Sequence, residues 1–418
     1  MLLSHETTIG LSKNYANIVG HMCYAAYKLW NVCNYERNNY RELGLNVYPD
    51  WYYQKSHHKN DLWFKSLPSQ TAQEVCKLLD KSWKSFYALK RNGGIENPNP
   101  PRYKNENMPI TYMQNAIQHE KATDMVRLSL PKKLKEYMKL QYDIRDNYLY
   151  LKNSVFSNTD CIKQLKIYPP SDGGMVRIIV IYEVEEVTYK EQNGHFLSID
   201  LGLHNLMTCY DNAGKGFIVG RQYLSICHRY DKEIARVQSQ WANIQVAKGI
   251  RHPKPSKHLL HLYEKRRNCI KDYLHKVTRY ITDYCVKNRI HTVVIGNIRG
   301  IREDNNLGSR INRQLHGLPF DRIYMQLEYK LKMQGIRLIR QEESYSSQCS
   351  PTSDEVVAAH ARKGNRKQRG LYQDKGQVYN ADAVGAYNIL RKYTAVSGTV
   401  IDMPVSGLSN IIVTKVAV

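Results

Sequence analysis

The sequence contains no apolar run of the roughly 18 residues that a membrane-spanning helix requires. Its first residues, MLLSHETTIGLSKNY, also lack the apolar segment of a signal peptide. The 9 cysteines include no CxxC pair, and an odd number without close pairs argues against a disulfide framework. We therefore expect an intracellular protein from a reducing compartment, without a membrane partner.

Acidic residues are too few to balance the basic ones. The chain of 418 residues has 38 Asp and Glu against 61 Lys and Arg, which gives a formal net charge of +23 at pH 7. Such an excess favours a polyanionic partner, and a membrane surface would require an amphipathic basic helix that is not evident. The 32 tyrosines can stack on bases and reach phosphates, so RNA or single-stranded nucleic acid is the expected partner.

The N-terminal part combines β and helical patterns. Residues 1–12 alternate like a strand, and helical patterns follow at about 15–40 and 70–90. After a break rich in Gly, Pro and Asn, the segments VRLSL, LQYDI, YLYLK and VRIIVIYEV predict a small antiparallel barrel or sheet. We predict a β-barrel domain from residues 1–12 and 101–190, with a helical region at 13–100.

The order of patterns after a polar linker is more specific. Three strand candidates, FLSIDLG, LMTCYDN and GFIVG, precede a long helical region that is interrupted near residues 252–255. The strand HTVVIGN, a helix at about 319–334, the strand IRLIRQEES and a final helix at about 382–392 follow. Three strands, helix, strand, helix, strand, helix is the order of an RNase H-type α/β domain, predicted here for residues 195–418.

Nuclease chemistry in such a fold requires carboxylates that meet at the ends of the central strands. They hold two divalent ions, and Mg²⁺ suits this role because it prefers oxygen ligands. Asp200 ends an apolar strand and Asp382 begins the final helix, so both are candidates. Asp200 could instead cap the turn after its strand, and Asp382 could be the N-cap of its helix.

Four segments, SIDLGLHNL, HTVVIGNIRGI, ESYSSQCS and NADAVGAYNIL, closely resemble in order and spacing the C-terminal half of TnpB (OrfB) proteins. TnpB proteins are RNA-guided nucleases of insertion sequences, related to Fanzor proteins and to compact type V CRISPR effectors. The segments LPSQTAQEVCKLLDKSWKSFYALK and PPRYKN resemble the helical recognition region of the family. The resemblance implies a wedge-like β domain, a RuvC-like nuclease domain, a transposon-end-derived guide RNA and a double-stranded DNA target, with Asp200 and Asp382 as the first and last RuvC aspartates.

The sequence departs from this family at the middle carboxylate. Most members carry a catalytic Glu in the HTVVIGN strand, where this chain has Gly296. The substitute that the resemblance implies is Glu343, just before Ser346 and Ser347, because some relatives use a glutamate displaced to this strand. The displacement is one inter-strand step, about 4.8 Å. Glu342 is the alternative, and only one of the two can serve because neighbouring strand residues point to opposite faces.

A second departure concerns zinc. Most members insert a four-Cys zinc ribbon before the last aspartate, whereas here Cys349 alone remains in a degenerate insertion at about 349–378. One thiolate cannot complete a tetrahedral site, and a single His360 in a basic loop is usually solvated. We predict no structural zinc, and we expect the basic run 361–370 to lie against nucleic acid.

Other basic side chains are candidates for contacts with nucleic acid. Those near the Gly- and Pro-rich break could approach the DNA flanking motif or the guide RNA, and those on the long helix are expected to face phosphates. The set comprises Lys90, Arg91, Arg102, Lys104, Arg266, Arg267, Lys271, Lys276 and Arg279.

The predicted function is RNA-guided DNA cleavage by Asp200, Glu343 and Asp382 with two Mg²⁺ ions, after pairing of the guide with its target and recognition of a short flanking motif. The alternative is a nuclease-dead, RNA-guided DNA binder that represses transcription, because Gly296 replaces a catalytic residue. A guide-independent RuvC-type resolvase would leave the large N-terminal half unexplained. We expect a monomer that acts in the cytoplasm on the nucleoid of a prokaryote.

Overall fold

The computed structural model describes residues 1–93, 95–171, 173–298, 312, 314, 317–366, 368 and 370–417. The chain divides into two compact units, Met1–Glu186 and Val187–Val418. Among the described residues, no helix combines the length and the apolar character that crossing a membrane would require.

The first unit contains a helical region between its first strand and its other strands. In chain order the elements are β1 (Leu2–Gly10), α1 (Lys13–Asn38), α2 (Trp51–His57), α3 (Leu62–Lys65), α4 (Ser69–Asn92), β2 (Ile110–Met113), β3 (Ile117–Glu120), β4 (Met125–Ser129), α5 (Lys132–Tyr142), β5 (Tyr148–Lys152), β6 (Cys161–Ile167) and β7 (Met175–Glu183).

The two long helices of this unit are those that the helical patterns predict. The Ser12 side chain caps α1 by accepting a hydrogen bond from Tyr15 N at 3.3 Å. Helix α4 ends at Gly93, whose φ of 65° is the left-handed conformation that glycine adopts most readily. The apolar stripe of α4 is buried in the core as far as Trp83.

The strands of the first unit pair antiparallel, as predicted, but they form two open sheets. One has the order β1-β7-β6-β2 and the other the order β3-β4-β5. Pairing among the described residues therefore does not close a barrel. The segment LQYDI, residues 140–144, was wrongly predicted as a strand, because its first three residues are the end of α5. The helix buries Leu134 and Met138, which are one helical turn apart, and its C-cap Asp143 has a φ of 52°.

The second unit contains β8 (Phe196–Asp200), β9 (Met207–Asp211), β10 (Lys215–Val219), α6 (Tyr223–Ala247), α7 (Lys257–Lys287), β11 (Thr292–Asn297), α8 (Phe320–Lys332), β12 (Arg337–Glu342), β13 (Leu371–Asp374), β14 (Gln377–Asn380), α9 (Ala381–Ser397) and β15 (Ile412–Thr414). The predicted order of strands and helices is confirmed, whereas β13, β14 and β15 were not predicted.

Six strands of this unit form a mixed sheet in the order β12-β11-β8-β9-β10-β15. Strands β8, β9 and β10 are an antiparallel meander, β11 pairs parallel with β8, and β12 pairs parallel with β11. Because β8, β11 and β12 run in the same direction, their carboxyl ends meet at one edge of the sheet. Asp200, Asn297 and Glu342 are the last residues of these strands.

Helices cover both faces of the sheet. Leu197, Ile199, Val293 and Ile295 pack with α7 and α8 on one face. Phe196 and Val294 pack with α9 on the other. Buried on both faces, the central strands are therefore apolar along most of their length, and the carboxylates stand only where the strands end.

Candidate active site

Asp200 lies at the end of β8 against helix α9. A Cβ atom added to Gly385 of α9 would stand 2.5 Å from Asp200 Oδ2 and 3.3 Å from its Cγ. Any residue larger than glycine at position 385 would therefore displace this carboxylate. The sequence analysis did not single out Gly385, although its place one turn after Asp382 could have drawn attention to it.

Asp382 lies in the first turn of α9, but it is not the helix cap. The side chain of Asn380 takes that role by accepting hydrogen bonds from Asp382 N at 3.0 Å and from Ala383 N at 3.1 Å. The Asp382 carboxylate instead accepts a hydrogen bond at 2.7 Å from Nδ2 of Asn205, in the turn between β8 and β9. Asn205 therefore orients the last aspartate, and the sequence analysis missed it.

Glu343 follows β12 directly and reaches towards β11. A Cβ atom added to Gly296 would overlap the Glu343 Oε2 atom and stand 3.1 Å from Ile389 Cδ1. The carboxylate thus occupies the space where a side chain at position 296 would begin. Its Oε2 atom is buried and has no hydrogen-bond partner among the described residues. Burial first, and then the charge of Glu342, raise the Glu343 pKa to about 7, against the opposing effect of Lys392.

Glu342 has different surroundings. Its side chain is 59% exposed, forms an ion pair with Lys392 of α9 and accepts a hydrogen bond from Ser344 N. Partial burial would raise its pKa, but the bonds to Lys392 and Ser344 outweigh this and lower the pKa to about 2. The geometry therefore favours Glu343 over Glu342 as the carboxylate that faces the other two.

The charges of the other two candidate carboxylates act on Asp200. Burial, followed by the charges of Glu343 and Asp382, raises the Asp200 pKa well above its usual range, while the Arg366 guanidinium acts in the opposite direction. Like charges gathered in a buried place need a cation to remain ionised together.

The donor atoms of this cluster fit a hard divalent cation. All are carboxylate oxygens, the ligands that Mg²⁺ prefers, and the unpartnered Oε2 of Glu343 is a buried acceptor that lacks a donor. Within the described part of the chain, however, no three carboxylate, imidazole or thiolate side chains already stand at metal-ligand spacing.

Helix α9 also holds the loop that carries Glu343. The Asn388 side chain is fully buried and donates hydrogen bonds to the carbonyl oxygens of Ser346 at 2.7 Å and Cys349 at 2.8 Å. In the same loop, Ser346 N donates to Glu343 O at 3.0 Å. Asn388 is thus a positioning residue that the sequence analysis did not identify.

Comparisons with known proteins bear on this arrangement. The family model OrfB_IS605, described as "Probable transposase", matches residues 179–302, and the model described as "Cas12f1-like, TNB domain" matches residues 320–389. A TnpB-like protein of Methanocaldococcus jannaschii is 22% identical over 222 residues, which are 51% of this chain and 74% of that protein. The "Putative RNA-guided DNA endonuclease InsQ" of Escherichia coli K12 is 24% identical over 345 residues, 78% of this chain and 75% of that protein.

The chain resembles proteins of the OrfB (TnpB) family. Its fold is similar to that of Cas12f1 as solved in complex with sgRNA and target DNA, with a TM-score of 0.57 and 15% sequence identity. The match covers 90% of this chain and 83% of that one. At this identity the likeness shows a shared fold, that of the compact Cas12 effectors.

A polar cluster holds the insertion between Glu343 and Asp382. Arg362 donates hydrogen bonds to Asp374 at 2.9 Å, Ser350 at 2.5 Å and Thr352 at 2.8 Å, and Ser350 and Thr352 also donate to Asp374. Cys349 is buried, and its thiol donates to Ala358 O at 3.4 Å. The absence of structural zinc stays a prediction.

The basic run of the insertion lies near the carboxylates. Arg366 donates to Ser347 O at 3.5 Å, and the backbone of Asn365 bridges Gln373 of β13. The Arg366 charge lowers the Asp200 pKa against the larger effect of burial. Lys367 and Arg369 of the same run lie outside the described residues.

The predicted basic residues of the first unit lie at the end of α4 and in the Pro-rich break. Lys90 and Arg91 are exposed in the last turn of α4. In the Pro-rich break, Lys104 places its ammonium 4.8 Å from the centre of the Trp30 ring, and Arg102 O accepts a hydrogen bond from Trp30 Nε1 at 3.2 Å. Contact of these four side chains with nucleic acid stays a prediction.

The predicted basic residues of α7 have acidic neighbours. The pairs that the structure contains are Arg266 with Asp231 at 3.1 Å, Arg267 with Glu264 at 3.7 Å, Lys276 with Asp272 at 2.8 Å and Arg279 with Asp283 at 2.9 Å. Lys271 also interacts with a neighbour. These exposed pairs are weak, so phosphates could still compete for the cations.

Proposed function

We propose that this protein is an RNA-guided DNA endonuclease that hydrolyses phosphodiester bonds at Asp200, Glu343 and Asp382 with two Mg²⁺ ions. The observation that carries the proposal is the position of Glu343: its carboxylate fills the space above Gly296, where most of the family has its own glutamate. The carboxylate that is missing at position 296 is thereby supplied from the neighbouring strand, and with Asp200 and Asp382 it makes up the proposed set of three.

The relatives and the net charge of the chain support a guide RNA and a DNA target as its partners. The E. coli relative is named as an RNA-guided DNA endonuclease, and Cas12f1 was solved with sgRNA and target DNA. A net charge of +23 fits a protein that binds both polyanions. Pairing of the guide supplies sequence specificity, and exposed basic residues beside the Pro-rich break, Lys90, Arg91, Arg102 and Lys104, approach the short flanking motif or the guide.

The finer architecture follows from the same proposal. The meander β8-β9-β10 with β11 and β12 added in parallel is the core of a RuvC-like RNase H domain, at residues 195–418. The strands of residues 1–12 and 101–190 are a wedge-like domain, and residues 13–100 are the helical recognition region. The protein acts as a monomer in the cytoplasm.

The residues of the proposed site have two kinds of role, as metal ligands and as positioning residues. When bound, the Mg²⁺ ions supply an activated water and stabilise the leaving oxygen. Asp200, Glu343 and Asp382 are the oxygen ligands, each from a different element. Asn205 orients Asp382 through its hydrogen bond of 2.7 Å, and Asn388 fixes the loop after Glu343 by binding Ser346 O.

A nuclease-dead repressor is the second candidate, and Gly296 is the observation that favours it. Glycine supplies no ligand, so the chain would bind DNA without cutting it if Glu343 did not act in its place. The burial of Glu343 and its unpartnered oxygen favour the nuclease.

Cleavage of a plasmid that carries a matched target tests both candidates. The full chain is co-expressed with its native downstream locus as wild type, Glu343→Gln and Glu342→Gln, and assayed with Mg²⁺ or with EDTA. We expect wild type and Glu342→Gln to cut with Mg²⁺, and Glu343→Gln to bind the target without cutting. Guided binding without cutting by the wild type would establish the repressor instead.

A further inference from the structure

One cleft of the second unit is lined mainly by basic side chains. It has a volume of about 580 Å³ and lies where α7, α8 and the segment after β15 meet. Lys276 and Arg279 of α7, Lys330 of α8 and Lys415 contribute to its walls. Among the described residues that line it, Asp283 is the one carboxylate, and this carboxylate is paired with Arg279 at 2.9 Å.

Lys330 is a half-buried cation whose partners are neutral. Its ammonium donates hydrogen bonds of 2.7 Å to His275 O and to Thr278 Oγ1. Burial first, and then the charge of Arg279, lower the Lys330 pKa to about 8, although Asp283 acts in the opposite direction. Removing a cation from water without an anionic partner costs free energy, so the cleft carries a positive potential that an anion would relieve.

The cationic surface extends along α7 beyond the cleft. Arg267, Lys271 and Arg279 stand four and eight residues apart, so they follow one side of the helix over about 18 Å. Arg267 and Arg279 are 62% and 71% exposed. A linear series of cations that ends in a cleft matches a chain of phosphates better than a single phosphate ion.

We propose that this cleft binds the phosphate backbone of the guide RNA, with Lys330 as the buried anchor and Lys415 at the second wall. The proposal rests on the proposed function, which supplies an RNA partner. RNA is the occupant in preference to target DNA because the cleft holds four basic side chains against one carboxylate whether or not a target is bound, and this excess charge requires compensation. An anion that stays bound throughout the life of the complex compensates it, and the guide is present before any target arrives.

The test compares Lys330→Met and Lys415→Met with the wild type and with Lys139→Met, an exposed lysine of α5. Lys415 is exposed on the chain segment after β15, so its substitution leaves the folded state intact. The probes are the RNA that co-purifies with the full chain, end-labelled, and a DNA oligonucleotide of the same sequence. Affinity is measured for both probes between 0.05 and about 0.5 M salt, a range over which phosphate contacts dominate the change.

Each cleft variant should weaken RNA binding about fivefold at 0.15 M salt and reduce the slope of log K against log[salt] by about 1, as the loss of one phosphate contact requires. Lys139→Met should bind like the wild type. Unchanged RNA affinity and slope in both cleft variants would overturn the proposal, and so would an equal loss for the DNA probe. If the wild type bound the RNA probe no more tightly than the DNA probe, the proposed function would be refuted. This outcome is distinct from a failure of the two cleft variants to weaken RNA binding.

Discussion

Gly296→Ala tests the displaced glutamate without touching any functional group. The added methyl carbon would overlap Glu343 Oε2, and the carboxylate would have to withdraw by about 1 Å to restore van der Waals separation. Because the overlapping atom is the free end of a flexible side chain, the protein can yield there at a cost in the free energy of unfolding of about 1 kcal/mol or less. A metal ligand misplaced by about 1 Å should lower the cleavage rate about 100-fold.

The assay is cleavage of the matched plasmid target by purified protein and guide RNA at saturating Mg²⁺, with DNA binding measured in parallel. We expect Gly296→Ala to bind the target like the wild type and to cut about 100-fold more slowly. Gly317→Ala is the matched control, because a Cβ atom at Gly317 meets nothing within 4 Å. Cleavage by Gly296→Ala at the wild-type rate would refute the placement of Glu343.

The complementary variant places a glutamate at position 296 of β11. Gly296→Glu combined with Glu343→Ala removes the overlap and returns a carboxylate to β11. We expect this double variant to cut faster than either single variant, because only one of the two positions can hold the carboxylate at a time. Equal inactivity of all three would show that position 296 does not open onto the site.

Four further results are expected. Arg366→Ala should lower cleavage about tenfold and shift the Mg²⁺ requirement upwards, since its charge favours ionised Asp200; a rate equal to wild type would exclude this role. Burial lowers the His58 pKa, but the hydrogen bonds and charges of Glu36 and Asp61 outweigh burial and raise it. The protonated His58 therefore stabilises the fold below about pH 6.5, and this stabilisation is lost as the pH rises through the raised pKa. Chemical denaturation at several pH values should show this loss in the wild type but not in His58→Ala. Asp374→Asn should lower the free energy of unfolding by about 1–3 kcal/mol, whereas a zinc chelator should leave the wild-type melting temperature unchanged.

The sequence predicts the second unit better than the first, for a physical reason. Strands β8, β9, β10 and β11 are short apolar runs separated by turns or long helices, so their order could be read directly. In the first unit, helices α2 and α3 have 7 and 4 residues, too few for a helical period to be evident. The segment LQYDI alternates like a strand, but Leu140 is exposed, and the preceding residues make it the end of α5.

At the site, the sequence identifies the acidic residues but not what holds them. Asn205 and Asn388 are ordinary polar residues in sequence, and only their hydrogen bonds to Asp382 and to Ser346 O reveal their roles. The N-cap alternative for Asp382 could be resolved only by the structure, which gives the cap to Asn380. The ion pair of Glu342 with Lys392, which the sequence does not reveal, favours Glu343 over Glu342, and the choice stays a prediction.

Each of the two glycines at the candidate site lacks a side chain and so leaves space for a neighbouring carboxylate. Gly385 leaves the space that Asp200 occupies, and Gly296 leaves the space that Glu343 occupies. A glutamate that arose at position 343 could turn inwards only if position 296 carried no side chain. A glycine at position 296 would in turn abolish metal binding unless position 343 supplied a carboxylate. In the proposed site the two positions on β11 and after β12 therefore depend on each other, and the absence of a side chain at position 296 is a condition for the inward position of Glu343.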